Sequence, residues 1–154
     1  MKKATFLVVG LLLLVACGPL GPIPGGRLSG QLGPATVDGW GFASGEQTAQ
    51  LETRPAEPHS VNTWFIGIDT ELYVPTSMIL GPKQPTERSW VAHVAEDPSV
   101  RIRIGDVVYE RVAKRLGGGA EYDRARSALE AKYELDPTER DPERDVWIYR
   151  LDSR

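Results

Sequence analysis

Apolar positions along this chain change period several times, and each change marks an element. The most regular stretch is 100–116. Val100, Ile102 and Ile104 alternate with Arg101 and Arg103, the period-two pattern of a half-buried strand. Val107 and Tyr109 resume the alternation after Gly105-Asp106, a two-residue, glycine-first turn suited to a type II′ hairpin. This register sets Ile104 opposite Val107, Ile102 opposite Tyr109, and Arg101 opposite Glu110. Val100, Ile102, Ile104, Val107 and Tyr109 then share the core face, and Arg101 and Glu110 form a cross-strand charge pair on the other. Elsewhere the spacing becomes helical. Trp90, Val91 and Val94 predict a helix over 86–97, with Thr86 as N-cap and Asp97-Pro98 as its stop. Tyr122, Ala125, Leu129 and Tyr133 predict a second over 121–134, with Asp123 and Lys132 placed as the helix dipole prefers.

The remaining segments read as short strands and turns. Residues 27–32 alternate weakly, as an edge strand does. Trp40 and Phe42 among the glycines of 33–44 suggest a short strand or a pinned loop. Residues 47–53 alternate as a half-buried strand, with Gln50 and Glu52 on the polar side, and the prolyl segment 54–58 turns the chain. Residues 59–69 are apolar on both faces and predict a central strand. After a turn at Asp69-Thr70, 71–77 returns with Leu72, Val74 and Thr76 on one face; Pro75 demotes its outer part to an edge or bulge. The glycines 117–119 break the chain, 136–143 reads as a solvated double turn, and 146–151 closes the domain as a last strand. The order β-β-β-β-α-β-β-α-β, with many short turns, predicts an α+β barrel of about six to eight strands with two helices.

The first 17 residues follow none of these periods. Lys2 and Lys3 precede an apolar run from Ala4 to Ala16, too short for a comfortable membrane span and suited to a secretory signal. It ends Leu14-Val15-Ala16-Cys17-Gly18, which resembles a bacterial lipoprotein lipobox. The resemblance implies a signal peptide over 1–16, lipidation (palmitate and diacylglycerol) at Cys17, and a stable membrane anchor. An uncleaved anchor or a simple secretory signal is the competing reading. Residues 17–26 are then the lipidated cysteine and a Pro/Gly tether, and 27–154 the domain. With Gly18 rather than Asp after the cysteine, the resemblance implies the outer membrane in a two-membrane bacterium; the localisation expected is the cell envelope, facing the periplasm or exterior.

Composition narrows the function classes. With 41% hydrophobic and 25% charged residues in 154, one globular domain is expected. The net charge of −3 becomes −5 without the two N-terminal lysines, and no basic run survives, so no nucleic-acid partner is expected. Cys17 is the sole cysteine, which excludes an internal disulfide and a cysteine-rich metal site.

The residues Leu72–Ser77, the segment Pro85-x-x-Arg88-Ser89-Trp90, Asp97-Pro98, and then Arg101, Arg103 and Gly105 resemble the middle of the split-barrel flavin and deazaflavin proteins. This is the superfamily of pyridoxamine-phosphate oxidase and the deazaflavin-dependent nitroreductases. The resemblance spans about 53–116 and implies a split β-barrel that binds FMN or a deazaflavin. It places the cofactor's phosphate near Thr76, Ser77, Lys83 and Arg88, and its ring system near Trp90. Hydroxyls, cations and a helix N-terminus suit a phosphate. It also implies a possible homodimer, and the superfamily includes haem binders and members without a known ligand. Residues 54–58 replace the glycine-rich basic turn common in the deazaflavin group. Read alone, Thr76 and Ser77 end a strand, Lys83 and Arg88 are solvated, and Trp90 is core.

Other constellations carry less. His59 and His93 match no metal-ligand spacing, Ser60 beside His59 makes no catalytic pair by adjacency, and 117–119 lacks a P-loop context. The acidic segment 136–145 is broken by Pro137 and Pro142 and fits no calcium loop. Trp40, Trp64, Trp90 and Trp147 are spread among elements as core anchors. No catalytic acid or base and no metal site stand out. Two functions are therefore expected as alternatives: an envelope lipoprotein with a flavin-dependent oxidoreductase role, or a non-catalytic envelope lipoprotein whose barrel binds a ligand or protein.

Overall fold

The computed structural model describes residues 18–154; the signal peptide, the lipobox and Cys17 lie outside the described residues. Eight strands and two α-helices follow in order: β1 (Gln31–Leu32), β2 (Ala49–Thr53), β3 (His59–Thr63), β4 (Ile66–Ile68), β5 (Glu71–Pro75), α1 (Ser89–Glu96), β6 (Ser99–Ile104), β7 (Val107–Arg115), α2 (Ala120–Lys132) and β8 (Ile148–Ser153). Seven strands form one path, β3-β2-β6-β7-β8-β5-β4, and β1 pairs parallel to β7 beside it.

The path explains the barrel. Its two end strands, β3 and β4, are neighbours in sequence, separated only by Trp64 and Phe65. In a flat sheet six inter-strand gaps would hold them about 29 Å apart, while that connection reaches about 10 Å. The sheet must roll until its ends meet. The central strand expected over 59–69 is thus corrected: the run divides into two strands, and they lie at the two ends of the path rather than in its middle. The bend is held by α2. The Phe65 N–H donates to the Tyr133 hydroxyl at 3.0 Å, and Lys132 Nζ donates to the Phe65 carbonyl at 3.1 Å, so the backbone groups freed at the break stay satisfied.

Leu51, Phe65, Leu72, Val74, Val100, Ile102, Ile104, Tyr109, Tyr149 and Leu151 fill the interior, joined by Trp90, Val91 and Val94 of α1. A second cluster on the outer face joins Tyr73 and Ile148 to Ala125 and Leu129 of α2. Burying each large aliphatic side chain contributes roughly 1.5–3 kcal/mol. Leu72, Tyr73 and Val74 are all fully buried, so β5 carries core on both faces. The Thr76 N–H donates to the Trp147 carbonyl; the Pro75 nitrogen therefore faces the other side, where β4 has not yet begun, and a missing N–H costs nothing there.

The β6–β7 hairpin has the expected register: Ile104 opposite Val107, Ile102 opposite Tyr109, Arg101 opposite Glu110, with Gly105 at φ +58° in the turn. Four local expectations are corrected. Arg101 pairs not with Glu110 but with Glu52 of β2, at 3.2 Å, and Glu52, expected on the polar face, is 1% exposed. Thr86 lies in a 3₁₀ turn (Pro85–Glu87), and α1 begins after it with Arg88 as N-cap. Phe42 is exposed while its neighbour Trp40 is buried, so only one of the two aromatics pins the loop. Trp40 sits against Gly67, where a Cβ would lie 2.1 Å from its own; only glycine admits that contact. The segment 18–26 runs along β3: Gly25 and Ser60 exchange backbone hydrogen bonds of 2.8 Å, and Asn62 Nδ2 donates to the Gly21 carbonyl at 2.8 Å.

Candidate functional site

Where the rolled sheet meets itself, it does not close along its full length. β4 pairs with β5 only from Ile66–Tyr73 to Ile68–Glu71. Beyond that point β3 and the end of β5 diverge, and a cavity of about 410 Å³ opens between them. This volume lies within the range of small-ligand sites. Val61 and Trp64 stand on one side, Thr76, Ser77 and the loop through Gly81 on the other, and Arg88 and Trp90 at the start of α1.

Four of the five residues that the resemblance implied in cofactor binding line this cavity: Thr76, Ser77, Arg88 and Trp90. Their states differ. The Thr76 hydroxyl accepts from the Trp147 N–H at 3.0 Å, which leaves its own proton free to donate. The Ser77 hydroxyl is committed to its loop: it donates to the Leu80 carbonyl and accepts from the Leu80 N–H at 3.1 Å. Trp90 is buried and packs edge-on against Tyr149, with ring centroids 5.3 Å apart. Lys83 stands apart from the cavity, exposed, with Nζ 2.6 Å from Glu143 and 3.1 Å from Asp141. There it ties the 78–85 loop to the acidic segment after α2, and its hydrogen bond to Glu143 raises its pKa.

Arg88 is the one cation among the lining residues. One terminal nitrogen donates to the Leu80 carbonyl at 3.1 Å, and Nε is buried without a partner. Among the described residues no carboxylate lies within ion-pair distance of it. Burial, and then repulsion from Arg144, push its pKa down; an arginine nevertheless keeps its charge. Gly81, at φ +73°, lets the loop pass over this guanidinium, since a Cβ there would meet it at 2.8 Å. The wall therefore holds an uncompensated positive charge beside apolar surface.

Trp64 was not among the residues expected here. Its ring stacks on Tyr133, with centroids 4.0 Å apart and planes 7° from parallel, and its remaining surface faces the cavity. Only the break after Thr63 turns it outward. A second pair also comes together without a sequence signal. His59 on β3 and His93 on α1 lie with ring centroids 4.9 Å apart. His93 Nδ1 is 3.0 Å from the Thr53 hydroxyl, and His59 Nε2 is 3.3 Å from the Ser89 hydroxyl. Among the described residues no group of three or more His, Cys, Asp or Glu side chains could hold a metal ion, and no helix is long and apolar enough to cross a membrane.

No family model and no curated protein matches the chain. Solved structures do. A conserved hypothetical protein from Mycobacterium tuberculosis is 20% identical, covering 73% of this chain and 76% of its own, with a TM-score of 0.55. An F420-H2 dependent reductase is 17% identical, covering 69% of this chain and 94% of its own, with a TM-score of 0.55. A second F420 reductase is 17% identical over 75% and 92%, with a TM-score of 0.52. At these identities the likeness defines the fold. The domain is a split β-barrel of the α+β class, with two helices.

Proposed function

We propose that this chain is an envelope-anchored protein whose seam cavity binds a flavin-type cofactor, FMN or a deazaflavin, in a redox role. The observation that carries the reading is Arg88: a half-buried guanidinium without a carboxylate partner, in a cavity walled by two tryptophans. A phosphate would satisfy its free donors, and the Thr76 hydroxyl has a proton to add. Trp64 offers an apolar face suited to a tricyclic ring, and the buried Trp90 backs the wall. The residues present thus fit such a group. When bound, it would supply the hydride or electron chemistry. The chain's own residues would do the rest: Arg88 and Thr76 hold the anionic end, and Trp64, Trp90 and Val61 exclude water from the ring.

The location rests on the lipobox resemblance. An exposed apolar patch beside this cavity is what supports a nearby membrane surface. Leu20 and Ile23 flank the lining residue Pro22, Ile79 and Leu80 line the cavity as well, and all four apolar side chains are exposed. Cys17→Ser should move the protein from the membrane to the soluble fraction and abolish incorporation of labelled palmitate; retention of either by the variant refutes the anchor.

One observation favours the non-catalytic reading. Ser77 and Lys83 are both engaged by protein partners, which leaves fewer phosphate donors than the resemblance implies. Thermal unfolding separates the two. With FMN at about 100-fold above its dissociation constant, stabilisation near 2.7 kcal/mol is expected. Riboflavin, which lacks the phosphate, should bind about tenfold more weakly, and Arg88→Ala should erase that difference. If FMN, a deazaflavin and haem all leave the melting temperature unchanged, the cofactor reading fails and the barrel serves another ligand.

A further inference from the structure

A second cavity, of about 320 Å³, lies where β8 ends and β5 begins, under the loop that carries Trp40. We propose that it is a binding site for a small oxyanion, a carboxylate or phosphate group, held by Arg111. The inference is independent of the seam cavity and of any cofactor there.

Strand alternation places Arg111 inside the barrel. Tyr109 and Ala113, two residues to either side on β7, belong to the interior cluster, and Arg111 points with them. It is 2% exposed. Its guanidinium lies 5.5 Å from the Trp40 ring centre and 5.3 Å from that of Tyr109, and its one hydrogen bond is to the Glu110 carbonyl, at 2.7 Å. Among the described residues no carboxylate lies within ion-pair distance of it. Ring faces attract a cation, but they return less than the desolvation of the ion costs. Of the five N–H donors that an arginine carries, one is used among the described residues.

The carboxylates on the wall are engaged by other groups. Glu71 is held by the Tyr73 hydroxyl at 2.7 Å and by Arg124. Asp152 is held by Arg150 Nε at 2.5 Å, and Arg150 also reaches Glu121 at 2.8 Å. Each carboxylate on the cavity is therefore already taken, and none of them lies within ion-pair distance of Arg111. A guanidinium in a polar cavity, held against two aromatic rings, presents its remaining donors as a planar fork, the geometry that a carboxylate or phosphate accepts in two parallel hydrogen bonds.

The test titrates sodium phosphate and, separately, sodium acetate into the purified full chain at constant ionic strength set with sodium chloride. Readouts are the melting temperature and the ¹⁵N shift of the Arg111 Nε. At least one of the two anions should raise the melting temperature and move the Arg111 resonance; which one does so identifies the source. Arg111→Met should weaken that response at least tenfold, Arg111→Lys should weaken it less, and Arg88→Ala should leave the Arg111 resonance responding as before. A parent resonance that moves with neither anion overturns the proposal, and this readout needs no variant. So does an Arg111→Met variant that keeps the full thermal response. If Arg88→Ala alone abolishes the thermal response, the anion sits in the seam cavity; the proposal fails and the seam reading survives.

Discussion

Two kinds of buried charge occur in this barrel. Glu52 and Glu130 are almost fully enclosed, and each is met by arginines. Glu52 accepts from the Leu28 N–H at 2.6 Å and from Arg101 at 3.2 Å. Glu130 receives a two-pronged bond from Arg140, at 2.6 and 2.7 Å, and a third from Arg126 at 3.1 Å. Arg88 and Arg111 have no such partners, and each faces a cavity. The fold thus supplies counter-ions where a charge is structural: Glu52 fastens the segment before β1 to β2 and β6, and Glu130 fastens α2 to the segment after it. At Arg88 and Arg111 it does not. Since leaving an ion buried and unpaired is costly, the second pattern marks a place for something from outside the chain.

Mutations on the two sides of this comparison should differ in size. The largest effect is expected at Glu52. Glu52→Ala leaves Arg101 without its carboxylate and the Leu28 N–H without an acceptor, and should destabilise by about 3 kcal/mol in urea denaturation. Adding Arg101→Met should recover all but about 1–2 kcal/mol, the cost of the orphaned N–H. Glu130→Gln comes next, with a loss of about 2 kcal/mol at neutral pH, because the bonds from Arg140 and Arg126 weaken. Arg140, burial-opposed and then helped by Arg126, holds the Glu130 pKa below its usual 4.5. The sign follows: the unfolded carboxyl takes up its proton first as pH falls, so the contribution is complete above about pH 4.5 and is lost below it. Stability curves of parent and variant should converge in that acid range. Arg111→Met should behave differently. With no anion present it removes an uncompensated ion and should leave stability within about 1 kcal/mol of the parent. A loss as large as that at Glu52 would make Arg111 structural and dissolve the comparison.

Sequence pattern reached the paired and unpaired charges unequally. The β6–β7 register was legible because turn chemistry and period agreed at Gly105-Asp106 over six residue pairs. The class of fold was legible from the count of short strands and two helices. The break between β3 and β4 was not: Thr63-Trp64-Phe65-Ile66 contains no glycine or proline, and it is fixed by Tyr133 and Lys132, some 68 residues away. That break creates the seam cavity and turns Trp64 toward it, so the site's outline is tertiary while Thr76, Ser77, Arg88 and Trp90 could be reached through a local resemblance. Glu52 read as solvent-facing because alternation registers polarity, not the arginine from β6 that permits its burial. Lys83 carried the right chemistry for a phosphate and lies in the right loop, yet Asp141 and Glu143 claim it.

The smallest predicted effect concerns charges that the fold keeps switched off. His59 and His93 lie in contact, and burial lowers the pKa of each below 6.5, with Arg54 adding repulsion to both and His59 adding it to His93. Glu96 and Glu57 act the other way on His93 without reversing the shift. In the unfolded chain both imidazoles protonate from about pH 6.5 downward, while in the folded chain they stay neutral to lower pH, so the unfolded state gains protons first and stability falls as pH drops. Between pH 7.5 and 5.5, well above the range in which Glu130 titrates, the parent should lose stability gradually. The double variant His59→Gln, His93→Gln should flatten that slope, because glutamine can still bond the Ser89 and Thr53 hydroxyls but takes no proton. An unchanged slope would mean that the imidazoles charge as readily in the barrel as in water, and that the neutral pair, unlike Glu52 and Glu130, has no hold on the fold.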